Sequence, residues 1–193
     1  MADEAAEIVR LLDALDEPVA IVSHSSGAVL ALETLLAHPE GITSAVLYEP
    51  PLDIGDGLGG DATPKAVAAI AAGDNGEAIT IFMRDIVGVS AEDVAQAVPM
   101  LRNYPPVWDR IPRQIDDTVA IEALSNRLEA YASIETPILL LGGDQSPPHL
   151  ADRLHALERI LPNATGVVMP REGHGAHQNS PAEVARIVRS FIR

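Results

Sequence analysis

Residues 18–33, Pro-Val-Ala-Ile-Val-Ser-His-Ser-Ser-Gly-Ala-Val-Leu-Ala-Leu-Glu, decide the fold. The run Pro18 to Val22 is short, apolar and rich in β-branched residues, which suits a strand buried on both faces. From Ala28 onward the period changes: Ala28, Val29, Leu32, Leu35 and Leu36 recur at helical spacing. Strand therefore hands over to helix within Ser23-His-Ser-Ser-Gly27. A turn that tight forces its central residue, Ser25, into a strained conformation, and small residues two before and two after it, Ser23 and Gly27, relieve the crowding. The bend lifts the Ser25 hydroxyl clear of the sheet and aims the positive end of the following helix at negative charge forming beside it.

Working outward, Ile8, Leu11, Leu12 and Leu15 share one face of an amphipathic helix that delivers the chain to Pro18. Ile42 to Tyr48 reads as a second buried strand, and a strand–helix–strand connection of this length implies a parallel pair. After Gly55, Gly57, Gly59 and Gly60 comes a tract with helical periodicity over 65–72, 77–87, 91–101 and 107–124. The sheet resumes at Thr136 to Leu141, a helix follows over 149–161, and Thr165 to Met169 is the last strand. Ser180-Pro-Ala-Glu183 reads as a capping box opening a final helix. The fold class is α/β, a parallel sheet flanked by helices.

Composition narrows the function. With 28 acidic against 13 basic residues the net charge is −15, so nucleic acid and anionic membrane are poor partners. The chain has no cysteine, hence no disulfide, thiol nucleophile or thiolate metal site. Its first residues are acidic where a signal peptide would be basic, and no apolar run approaches the ~20 residues of a membrane span. It reads as soluble and cytoplasmic.

Ser-His-Ser-Ser-Gly, set between strand and helix, resembles the nucleophile elbow G-x-S-x-G of the α/β-hydrolase fold, with Ser23 in place of the first glycine. The resemblance runs from the first helix to the last. It implies a core of residues 1–54 and 132–193 carrying a helical cap over 55–131. It also implies the chain order nucleophile, acid, histidine. Ser25 is then the nucleophile and His174, in the loop past the last strand, the base, with His177 as its rival. Asp144, in the Gly142-Gly-Asp loop, is the expected acid, and Glu49 at the end of the strand after the elbow is the alternative. The backbone N–H of Ser26 is the expected oxyanion donor. His24 and Trp108 are candidates for contact with substrate, and the six histidines show no paired metal-ligand spacing.

Full members of that family carry further strands, and a His-Gly loop supplying the second oxyanion donor, ahead of the elbow. Residues 1–17 hold one helix. The elbow strand is therefore expected at a sheet edge, where an apolar strand invites pairing with a second copy or another chain. The function implied is hydrolysis of a small ester or related acyl substrate without a cofactor. The alternative is a non-catalytic binding or interaction protein on the same scaffold.

Overall fold

The computed structural model describes residues 1–15, 17–55 and 57–192. The chain divides into two compact units, residues 1–54 with 126–193, and residues 55–125.

The first unit is built on four parallel strands, β1 (Val19–His24), β2 (Ile42–Tyr48), β3 (Ile138–Gly143) and β4 (Ala164–Met169), lying in the order β1-β2-β3-β4. Because every strand runs the same way and the order follows the chain, the loops leaving all four emerge at one end of the sheet. The helices are α1 (Ala2–Asp13) and α2 (Ser26–Ala37) around β1, and later α8 (Leu128–Tyr131), α9 (Pro148–Ile160), α10 (Ala176–Asn179) and α11 (Pro181–Phe191). Alternation along the strands assigns the faces. Val46, Tyr48, Leu139, Leu141 and Met169 pack with Ala176 of α10 and Ile187 of α11 on one side. On the other side, Leu154 of α9 comes so close to Gly142 that a Cβ there would sit 2.5 Å from its Cδ1. β1 is an edge strand, as the sequence implied, and Val22 on it is 55% exposed.

The second unit is helical: α3 (Ala62–Ala71), α4 (Asn75–Ile81) running into a π-helical turn over Phe82–Val87, α5 (Ala91–Arg102), α6 (Pro105–Trp108) and α7 (Ile111–Leu124). Ala66, Ala78, Ile79, Ile81, Ile111 and Ile115 form its core. Glu122 of α7 ties the start of the unit down, accepting hydrogen bonds from the Gly59 N–H and the Thr63 hydroxyl, each at 2.8 Å.

Three boundaries depart from the sequence reading. The helix expected over 107–124 is two helices: Pro112 lacks an N–H and sits in the first turn of α7, which restarts at Ile111. The capping box at Ser180 is not made: its hydroxyl donates to Glu172, while Glu183 binds Arg186 through two hydrogen bonds of 2.8 and 2.6 Å. Residues 126–131, which the family resemblance placed in the cap, pack with the sheet unit. Arg127 pairs with Glu33 of α2 at 3.1 Å, and the buried Tyr131 donates its hydroxyl proton to the same carboxylate at 2.7 Å.

Candidate active site

Ser25 sits between β1 and α2 with φ 55° and ψ −128°, a conformation that costs a non-glycine residue of order 1–3 kcal/mol and persists only where its surroundings enforce it. Its N–H donates to the Tyr48 carbonyl at 2.9 Å, and its own carbonyl accepts from Ala28 at 2.8 Å. Strand pairing thus ends and helix bonding begins on one residue. Ser26 is the first residue of α2, at the positive end of the helix. The hydroxyl of Ser23 reaches the Val46 carbonyl at 3.2 Å. At Gly27 a Cβ would meet nothing within 4 Å, so packing does not demand glycine there.

One strand over, Glu49 follows β2 in the left-handed region at φ 47° and is 1% exposed. A carboxylate so buried needs partners to remain charged. Oε1 accepts from the Gly143 N–H at 2.9 Å and from the Ser146 hydroxyl, and Oε2 lies 2.6 Å from Nδ1 of His174. That short contact fixes the imidazole with its proton on Nδ1 and leaves Nε2 as the basic nitrogen.

Asp144, the acid expected from loop order, is not on the imidazole. It is exposed, and its Oδ1 accepts from the Arg171 N–H at 2.7 Å and from the Gln145 side chain at 2.9 Å. Arg171 has φ 62°, so Asp144 stabilises the turn that starts the loop bearing His174. The same loop lies flat on Gly143, where a Cβ would stand 2.1 Å from the Glu172 carbonyl oxygen. Side-chain size at residue 143 therefore decides how near the histidine loop comes to the sheet.

The remaining candidates are placed as follows. His24 points into a cluster of rings, with centroids 4.3 Å from His174, 4.3 Å from His177 and 4.9 Å from Tyr48. Burial first, then the neighbouring His174 and His177, lower its pKa from 6.5 to about 4, so it is neutral at pH 7. His177, the rival base, is exposed, contacts Gln178 and has its pKa lowered chiefly by burial. Trp108 is accounted for by the packing of its own unit: it lies against that unit's helical core, with the Arg102 guanidinium 5.2 Å from its ring centroid. Two residues outside the sequence candidates belong to the cluster, Tyr48 and Ser146. The signal for Tyr48 was its place at the end of its strand, next to Glu49. Among the described residues no group of His, Asp or Glu could hold a metal ion, and no helix is long and apolar enough to cross a membrane.

A parallel sheet whose strand ends carry a serine on a strained strand-to-helix bend and a histidine held by a buried acid has the architecture of the α/β hydrolases. The chain belongs to the alpha/beta hydrolase family, whose model matches residues 1–187. A curated relative, "Putative carbamate hydrolase RutD" of Pseudomonas syringae pv. syringae (strain B728a), is 27% identical over 201 residues, spanning 97% of this chain and 73% of that protein. Among solved structures, an alpha/beta hydrolase from Sphaerobacter thermophilus DSM 20745 superposes with a TM-score of 0.77 at 26% identity, covering 95% of this chain and 70% of that one. Est816, described as an N-acyl homoserine lactone degrading enzyme, superposes with a TM-score of 0.72 at 23% identity, over 98% and 74% of the two chains.

Proposed function

We propose that this chain is a serine hydrolase acting on small esters or related acyl compounds, with Ser25 as nucleophile, His174 as general base and Glu49 as the acid that orients it. The observation that carries the reading is the 2.6 Å bond between Glu49 and His174, made one strand away from a serine held at φ 55°. In this scheme Ser25 Oγ attacks the substrate carbonyl carbon while its proton passes to His174 Nε2. Glu49 stabilises the imidazolium, and the proton is returned to the departing alcohol or amine. Water, deprotonated by the same nitrogen, then attacks the acyl enzyme and frees Ser25. Ser26, at the start of α2, is the proposed backbone donor to the oxyanion. The carbamate hydrolase name of one relative adds carbamates to the acyl compounds worth assaying, because a carbamate carbonyl yields to the same attack.

Labelling with a fluorophosphonate probe tests the assignment. Covalent attachment at Ser25 that disappears in Ser25→Ala and His174→Ala is the expected result. A folded wild-type chain that takes no label overturns it and favours a binding protein on this scaffold.

A further inference from the structure

The base of the proposed reaction sits on a loop between β4 and α10, and a loop places a side chain only as well as its backbone is held. Two side chains that take no part in bond making do the holding. The Tyr48 hydroxyl donates to the Gly173 carbonyl and accepts from the Ala176 N–H at 3.1 Å. The ring of His24 approaches the His174 carbonyl with Nε2 at 2.9 Å. A carbonyl only accepts, so His24 carries its proton on Nε2. Backbone groups at 173, 174 and 176 are thus gripped by two residues paired across β1 and β2 in the sheet register. Each stands one residue before a member of the proposed triad, His24 before Ser25 and Tyr48 before Glu49.

We infer that His24 and Tyr48 are positioning residues that set the His174 imidazole against Ser25 and Glu49, with the His24 Nε2–H to the His174 carbonyl as the deciding contact. This rests on the hydrolase reading above and adds a role for the second residue of the Ser-His-Ser-Ser-Gly bend. The close approach of the two tilted rings explains why a neutral donor is required. A protonated His24 would place a second positive charge 4.3 Å from the His174 ring when that ring takes the serine proton. The lowered pKa of His24 keeps it neutral through neutral pH.

Glutamine and asparagine separate this role from packing. The amide nitrogen of glutamine falls at the place of histidine Nε2, whereas that of asparagine stops one bond short. His24→Gln and His24→Asn are compared with wild type for kcat and KM on p-nitrophenyl acetate, for fluorophosphonate labelling and for thermal midpoint. His24→Gln is expected to keep kcat within about threefold, and His24→Asn to lose roughly 10- to 100-fold in kcat at nearly constant KM, the scale of a misplaced catalytic group. Equal kcat in the two variants overturns the inference while leaving the hydrolase reading intact. A wild-type chain that takes no label overturns both. Should His24→Asn fail to fold, Tyr48→Phe decides: a fall in kcat at unchanged KM supports the clamp, and wild-type kcat refutes it.

Discussion

At the scale of single residues, the choice between two acids turns on which carboxylate reaches the His174 imidazole. Glu49 is buried but accepts from a backbone N–H, a hydroxyl and an imidazole, so its charge is balanced by directed donors. Glu49→Gln keeps the shape, but its amide can donate to His174 and favour the wrong tautomer. A fall in kcat of about 10⁴ is expected, the loss typical of an acid-to-amide change in a triad. Asp144→Asn retains an oxygen for the Arg171 N–H and is expected to leave kcat near wild type. The reverse ranking of these two variants would return the role to Asp144. Sequence could name both acids and the histidine because their loops follow from chain order. It ranked Asp144 first, whereas the contact with the imidazole is made by Glu49, whose side-chain direction goes with a φ of 47° that no residue pattern announces. His24 gives a second prediction. Its pKa is about 4 in the folded chain against an ordinary 6.5, so between those values the unfolded chain binds a proton that the folded chain refuses. The stability tied to neutral His24 is complete above about 6.5 and is lost as pH falls toward 4. Urea denaturation at pH 7 and pH 5 should show wild type losing more stability than His24→Gln. An equal loss in both would show that the burial of His24 is not felt.

At the scale of elements, the short helix α8 is the piece whose allegiance the sequence misjudged. Its four residues carry too little periodicity to assign, and what fixes them is a long-range contact: Tyr131 and Arg127 converge on Glu33, 98 residues from Tyr131 in the case of the hydroxyl bond. Burial and the facing carboxylate both raise the pKa of the Tyr131 phenol, so it remains the donor at any ordinary pH. Tyr131→Phe removes that donor from a carboxylate whose side chain is 11% exposed and is expected to cost about 1–2 kcal/mol of stability. Calorimetry showing an unchanged midpoint would mean that Arg127 alone satisfies Glu33. The strands and long helices were legible because their periods are strong. β2, written Ile-Thr-Ser-Ala-Val-Leu-Tyr, lies where the sequence reading placed it, and α11 packs Val184, Ile187, Val188 and Phe191 against the sheet. What escaped were features set by one atom or one partner, such as the missing N–H of Pro112 and the preference of the Ser180 hydroxyl for Glu172 over its own helix.

At the scale of the whole molecule, two properties act together, the gathering of all strand exits at one sheet end and the surplus of acid. The monotonic order β1-β2-β3-β4 brings His24 and His174 together although 150 residues separate them. It also sets the loops bearing the proposed triad at that same end of the sheet. A net charge of −15 sets up a negative potential that favours cations in the encounter and opposes anions. In the proposed reaction this bears on substrate choice through kcat/KM rather than through the chemical step, since attack on a carbonyl has no stake in a distant charge. Two esters sharing one leaving group, one with a quaternary ammonium on the acyl side and one with a carboxylate, separate the effects. At 10 mM salt, kcat/KM is expected to favour the cationic ester by about tenfold or more, as steering by a surface potential allows. The gap should shrink as salt rises toward 0.5 M, where screening confines fields to a few ångströms, of order 3–5 Å. Neutral acetate esters should change little over the same range. If the two charged esters instead keep a constant ratio at all salt concentrations, the discrimination arises from contacts within the site, and the long-range field has no part in it.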